Sequence, residues 1–192
     1  MAETIRRLLA VSHEATITGA PMNLLHFVTW ISRNTDVETH VLILRDGPLV
    51  HRFEQVSTVT VIDRFPLGDT LAAAELGLRQ LGSRRASVAL RRLRLGPQLR
   101  HLDGFDVVYL NSLASLGALP HLPAAGLVAS HVHELEVALR TQPPEIRRLL
   151  EDGPDTWIAA SGAVQDMLVA EVGLPSDRVR LHHEFIDLAP IL

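Results

Sequence analysis

The sequence predicts an α/β chain built on a mostly parallel, doubly wound sheet of about seven strands with helices on both faces. Three observations predict it. Short runs of apolar and β-branched residues alternate with helical stretches from one end of the chain to the other. Several of the runs stop at polar residues, Ser12, Asn111, His133 and Ser161, as strands do where a parallel sheet presents its carboxyl edge. The opening stretch, Ile5 to Trp30, reads as one complete strand, loop and helix.

In that opening unit Leu8 to Val11 form a buried strand and Ser12 to Thr18 a polar loop. Gly19-Ala20-Pro21 opens the helix, which is expected to begin near Pro21 because proline's missing N–H would have no partner in a first turn. Leu24, Leu25, Val28, Trp30 and Ile31 recur on one side to lie against the sheet, and the helix ends near Ser32-Arg33-Asn34. Val37 to Leu44 is a second strand, Arg45-Asp46-Gly47-Pro48 a turn, Leu49 to Gln55 a short helix, and Val56 to Ile62 a third strand. The longest helical run covers Asp69 to Leu95, with a break at Gly82-Ser83 and a stop at Gly96-Pro97. Phe105 to Leu110 is a continuous apolar strand ending in Asn111-Ser112, followed by a small helix to about His121. Leu127 to Val132, Thr156 to Ala160 and Arg178 to His182 are the last three strands. Between them lie a loop and helix from Glu136 to Leu150, and a helix from Gly162 to Val172 capped by Ser161.

At 192 residues and 47% hydrophobic, the chain can bury one substantial core, and a single domain over 1–192 is expected. All 18 basic residues are arginine, and a net charge of -4 lacks the strong positive balance of a nucleic-acid binder. The absence of cysteine excludes disulfides and thiolate metal sites. Met1 to Arg7 lack the apolar core of a signal peptide, and no run reaches about 18 apolar residues, so a cytoplasmic protein without a membrane span is expected. Arg79, Arg84, Arg85, Arg91, Arg92, Arg94 and Arg100 gather positive charge in one region. They form either a solvated helix face or a peripheral contact with anionic lipid headgroups or a phosphorylated acceptor.

The turn at Thr18-Gly19-Ala20 aims unpaired N–H groups and the positive end of a helix dipole over the sheet edge, which suits an anion, although neither GxGxxG nor GxxxxGK[ST] is present. His131 and His133 share a strand face by the period of two, but zinc needs a third and usually a fourth ligand. Glu134 or His13-Glu14 would have to supply them, no HExxH is present, and no metal is expected. Ser161 lacks the GxSxG surroundings of a nucleophile elbow and reads as a helix cap. Glu184 and Asp187 have the chemistry of an acid–base pair, with a geometry that spacing does not fix.

Taken in order, the opening strand with Thr18-Gly19-Ala20-Pro21, Arg45-Asp46-Gly47-Pro48-Leu49, Asp106 to Asn111, Val132-His133-Glu134, Ile158 to Ser161 and Glu184-Phe185-Ile186-Asp187 resemble the N-terminal domain of glycosyltransferase family 4. These are retaining, nucleotide-sugar-dependent enzymes of GT-B architecture, and the resemblance covers nearly the whole chain. It implies a Rossmann-like, acceptor-side domain facing a donor-binding domain that would follow Leu192. It also implies that Thr18, Gly19 and Ala20 lie near the donor diphosphate or acceptor, that His133 reaches the donor sugar with Glu134 supporting it, and that Asn111 and Ser161 line the cleft. Glu184 to Asp187 would lead toward the interdomain linker. The co-substrate would be a UDP- or GDP-hexose, with an unknown acceptor and no further cofactor. Without the second domain's basic pair to neutralise the departing diphosphate, the chain alone is expected to be inactive. Two other readings stand beside this one: a stand-alone α/β module that binds a ligand or partner, and a small metal-dependent hydrolase using His131, His133 and His13.

Overall fold

Apolar runs with β-branched residues are stable as strands when both faces are covered, and the chain uses them in that way. The computed structural model describes residues 4–62, 73–74, 77–78 and 80–183, of which 84, 85, 88, 91, 92, 94 and 97 are described by backbone alone. Seven strands, β1 (Arg7–Ser12), β2 (Glu38–Ile43), β3 (Thr58–Val61), β4 (Val107–Leu110), β5 (Leu127–Val132), β6 (Thr156–Ala159) and β7 (Val179–Leu181), form one sheet. Every pairing is parallel, in the order β3-β2-β1-β4-β5-β6-β7. The chain runs outward from β1 to β3 and then returns to the other side of β1, so the topological switch lies between β1 and β4.

The connecting helices are α1 (Gly19–Asn34), α2 (Val50–Glu54), α3 (Arg84–Leu99), α4 (Glu136–Thr141), α5 (Pro144–Asp152) and α6 (Gly162–Asp166). Period-two alternation divides the sheet's side chains into two cores. Leu8, Ala10, Val41 and Ile43 face α1 and α2, and meet Leu24, Leu25, Val28, Val50 and Phe53. Leu9, Val11, Leu42 and Leu110 face the other way, against Leu95 and Leu99 of α3, Leu113, Leu150 and Leu168. Each fully buried Leu, Ile, Val or Phe among them contributes about 1.5–3 kcal/mol.

Aspartates close the amino edge of the sheet. Asp106 Oδ2 accepts the main-chain N–H groups of Arg6 at 2.7 Å and Arg7 at 2.9 Å. Those two donors hold its carboxyl below the ordinary carboxylate range. Asp155 Oδ2 does the same for Val128 N–H at 2.8 Å. Both aspartates follow the same local pattern, Gly104-Phe105-Asp106 before β4 and Gly153-Pro154-Asp155 before β6.

The elements depart from the sequence expectations in identifiable places. Helix α1 begins at Gly19, the first residue of the expected Gly19-Ala20-Pro21 opening and two before Pro21, with Thr18 at the N-cap and Met22 N–H donating to the Thr18 carbonyl at 3.1 Å. Pro21 still precedes that first helical bond, so its missing N–H costs nothing two residues deeper in the turn. Trp30 does not pack against the sheet and is 54% exposed. It follows Val28 by two residues, a rotation of about 200° around the helix, which turns it away from the buried Leu24, Leu25 and Val28 face. Helix α3 starts after Gly82, whose φ of +73° makes the expected break, but it runs through Gly96-Pro97 to Leu99. Burial of Leu95, Leu99 and Leu102 at near-helical spacing outweighs the stop signal. The piece after Ser112 is a 3-10 helix (Leu113–His121), and the Glu136–Leu150 stretch divides into two helices at Gln142-Pro143, as a residue before proline resists the α conformation. After α6 the chain widens into a π turn, Met167–Glu171.

The β1–α1 loop is sewn to the β2–α2 loop. Ala15 N–H donates to the Arg45 carbonyl at 3.2 Å and Leu49 N–H to the Ala15 carbonyl at 2.9 Å. Gly47 lies so close beneath this loop that a Cβ there would collide with the Ala15 carbonyl. Gly47→Ala is therefore expected to destabilise the fold by about 1–3 kcal/mol, the usual cost of overpacking, visible as a lower midpoint in urea unfolding.

Two histidines pack against the sheet, His40 half-buried and His131 buried. His40 packs beside Phe105 and hydrogen-bonds Thr60 at 2.9 Å. Burial pushes it down to about 4, with His101 and Arg7 adding to the shift and Glu38 opposing it. His131 hydrogen-bonds the Tyr109 hydroxyl through Nδ1, and burial, with His133 and His182 nearby, pushes it down to about 3. Because both folded values lie below the unfolded 6.5, the unfolded chain binds more protons between them. Their contribution is complete above pH 6.5 and declines as pH falls toward 4. For His131 the slope approaches about 1.4 kcal/mol per pH unit, and urea unfolding at pH 7.5, 6 and 5 is expected to show it, with a flatter profile in His131→Phe.

Candidate functional site

At the carboxyl end of β1 the chain leaves the sheet through a polar loop that organises itself. Ser12 Oγ donates to the Glu14 carbonyl at 2.6 Å. The Glu14 carboxylate accepts the Thr16 hydroxyl at 2.6 Å, and lies 3.7 Å from Arg45 and 3.5 Å from His13 Nε2. Thr16 in turn bonds the Thr18 hydroxyl at 3.0 Å. Thr18 consequently makes no side-chain cap on α1. The N–H groups of Gly19 and Ala20 stand ahead of the first helical bond, and a Cβ on Gly19 would meet nothing within 4 Å. That combination leaves an open helix N-terminus with positive partial charge over the switch point.

The ends of β4 and β5 meet it there. Asn111 Nδ2 donates to the Ala20 carbonyl at 2.7 Å. This fixes which end of the amide is which, so Oδ1 is an acceptor for His133 Nε2 at 3.2 Å, and that nitrogen carries a proton. Glu134 is a brace. Its carboxylate accepts His133 N–H at 3.1 Å and Leu113 N–H at 3.2 Å, tying the turn after β5 to the start of the 3-10 helix after β4. Ser112, fully buried, shares hydrogen bonds with His13 Nδ1 at 2.9 Å and Ser115 at 3.1 Å. The arrangement can receive an anion at the α1 N-terminus while holding an imidazole in one orientation beside it.

Of the residues singled out in the sequence, Thr18, Gly19, Ala20, Asn111, His133 and Glu134 come together at this edge. Ser161 stands at the end of β6, the strand next to β5 on the same edge, and its Oγ accepts Val164 N–H at 3.3 Å as the cap of α6. Glu184 to Asp187 lie outside the described residues. The ring centroids of His131 and His133 lie 4.1 Å apart at a tilt of 38°, yet among the described residues no group of three or more His, Cys, Asp or Glu is placed to hold a metal ion. Ser112 and Tyr109 carry contacts that the sequence reading left unassigned. Tyr109 is the chain's one tyrosine, and its place two residues before Asn111 on the same strand face was the available signal.

No family model and no curated protein matches this chain. Solved structures do. A glycosyltransferase from Rickettsia africae ESF-5 superposes with a TM-score of 0.57 at 11% identity, over 96% of this chain and 44% of that one. An alpha-glucosyltransferase (AGT) in complex with UDP superposes with a TM-score of 0.52 at 11% identity, over 98% of this chain and 46% of that one. The chain spans less than half the length of these neighbours. At such identities the likeness is one of fold: the chain has a glycosyltransferase-like, Rossmann-like α/β architecture.

Proposed function

We propose that this chain is the acceptor-side domain of a retaining, nucleotide-sugar-dependent glycosyltransferase related to family 4, and that a second, donor-binding domain completes the native polypeptide. The observation that carries the reading is the link from His133 through Asn111 to Ala20, which joins an oriented imidazole to an open helix N-terminus at the switch point. The fold likeness to a transferase holding UDP supports it. In this proposal the diphosphate of a UDP- or GDP-hexose lies against Gly19 and Ala20, the His133 imidazole reaches the sugar, and Glu134 positions that histidine through its main chain. The cleft formed with Asn111 takes the acceptor.

A helix N-terminus contributes about 0.3–1 kcal/mol to an exposed anion. Electrostatic stabilisation of a leaving group at a working site is worth about 2.7–4 kcal/mol for a single donor. The α1 terminus alone falls short of that, so basic groups from elsewhere must face the diphosphate, and the isolated chain is expected to transfer sugar slowly or not at all.

In the complete polypeptide, His133→Ala is expected to lower kcat about 100-fold with UDP- or GDP-hexose as donor, while circular dichroism stays unchanged. Unaltered transfer kinetics would remove His133 from the reaction. An immunoblot of source cells should show a band near twice the mass of this chain, whereas a band at its own mass would favour a stand-alone binding module. The arginine-rich segment extends the proposal to the membrane periphery. Arg84→Glu/Arg85→Glu is expected to weaken flotation with anionic vesicles, and equal flotation would return the segment to a solvated face.

A further inference from the structure

Helix α1 carries two stripes. Leu24, Leu25 and Val28 lie in the core against the sheet. Asn23, Phe27, Trp30 and Ile31, at the spacing of one helix face, form instead the wall of a groove of about 600 Å³. The sheet supplies its floor, from Leu8 and Val107 through Tyr109 and Ala129 to Ile158. That volume lies within the range of about 300–1,000 Å³ common to small-molecule pockets. From Asn23 to Ile31 the helix rises about 12 Å, comparable with an extended octyl chain.

The lining is graded in polarity. Ile5, just before β1, and Val37, just before β2, stand at the amino end with Trp30 and Ile31. Half-buried Asn23, in the second turn of α1, and exposed His182, directly after β7, stand at the carboxyl end. His131 offers ring carbon there and no hydrogen bond, because its Nδ1 is engaged by the Tyr109 hydroxyl and its Nε2 is sealed from solvent. The polar end adjoins the candidate site on two sides. Asn23 follows Gly19 by one helical turn, and the His131 ring centroid lies 4.1 Å from that of His133.

A wholly polar acceptor would gain nothing from Phe27, Trp30 and Ile31, whereas a molecule divided as the lining is divided would bury its apolar part against them. We propose that the groove holds the apolar chain of an amphiphilic acceptor, an alkyl or acyl chain on a hydroxylated head, with the head at Asn23 and His182 beside the candidate site. The acceptor role of the head rests on the sugar-transfer reading; occupancy of the groove does not. On transfer, the head's hydroxyl oxygen bonds the anomeric carbon as the bond from that carbon to the diphosphate breaks, and the hydroxyl proton leaves on the nucleoside diphosphate.

Octyl glucoside, kept below its micelle concentration, is the probe. Trp30 is the reporter, because it lines the groove and is exposed, whereas Trp157 is buried in the opposite core. With the 192-residue chain, octyl glucoside is expected to produce a saturable blue shift of tryptophan fluorescence. Hexyl glucoside, two methylenes shorter, should bind about tenfold more weakly, and methyl glucoside not measurably. Phe27→Ala should weaken octyl glucoside about tenfold with circular dichroism unchanged. Asn23→Leu, which keeps the size and removes the amide, should weaken it about fivefold. When the complete polypeptide receives radiolabelled UDP- or GDP-hexose and extract of source cells, the labelled product is expected in the butanol phase.

Absence of a saturable shift, equal affinity for the three glucosides, or undiminished binding by folded Phe27→Ala overturns the proposal. So does octyl glucoside that binds this chain but not the complete polypeptide on equilibrium dialysis, which would assign the groove to the rest of that polypeptide. A shift that follows protein concentration in step with dimer formation on sedimentation, and that octyl glucoside leaves unchanged, would assign it to a second copy and overturn the proposal as well. Labelled product confined to the water phase overturns the acceptor role and leaves sugar transfer standing. No labelled product at all, beside binding graded by chain length, supports occupancy of the groove and overturns the sugar-transfer reading.

Discussion

The Asn111 amide is held at both ends, by the Ala20 carbonyl on its nitrogen and by His133 on its oxygen, and the geometry of the sheet edge follows from that double engagement. An amide has one donating end and one accepting end, so fixing the first fixes the second and, with it, the proton on the imidazole. The arrangement rests on the pairing of β1 with β4. Val11 lies beside Leu110 in the register, and the next N–H, that of Asn111, donates to the Val11 carbonyl at 3.0 Å. A slip of one residue would turn Asn111 to the opposite face and separate it from both partners. Burial of Leu8, Leu9, Ala10 and Val11 on the two faces prevents the slip, so core packing is what orients a polar edge.

Most of the strands were legible because strand chemistry is local. Val59, Thr60 and Val61, or Val107 and Val108, favour a pleated backbone whatever surrounds them. The sheet's extent and parallel character followed from alternation with helices. What the sequence did not reveal depended on partners distant along the chain. The stop signal at Gly96-Pro97 was overruled by Leu95, Leu99 and Leu102 reaching the core, a tertiary gain that local propensity does not contain. Trp30 was misplaced because its hydrophobicity suggested a buried face while its angular position on α1 did not. The site was legible as a set of strand ends. The bonds within it were not, since Asn111 and His133 are 22 residues apart and only the β4–β5 register brings them near.

The two faces of the sheet are finished to different degrees. The α3 face carries a continuous core from Leu95 to Val179. The α1 face is covered by α1 and α2 over β2 and β3, and gives way to an apolar groove of about 600 Å³ that runs from Leu8 of β1 across Tyr109 and Ala129 to Ile158 of β6. His131 lines that groove, and its ring centroid lies 4.1 Å from that of His133 at a tilt of 38°, so the groove and the carboxyl edge adjoin there. The uncovered half of this face also accounts for Trp30, which would otherwise be a large hydrophobic side chain on α1 without a surface to serve.

The aspartates of the amino edge give the molecule a division of labour between its two rims. Asp106 and Asp155 satisfy main-chain donors at the starts of β1 and β5 within the protein, so that rim holds its own polar groups and offers few to outsiders. At the opposite rim, Gly19 and Ala20 keep donors ahead of the helix, and the side chains around them fix one another's orientation without covering them. Variation can therefore be confined. Loops on the carboxyl rim can change length or sequence to suit a new ligand while the amino rim preserves strand order, and the scaffold can be inherited apart from its specificity.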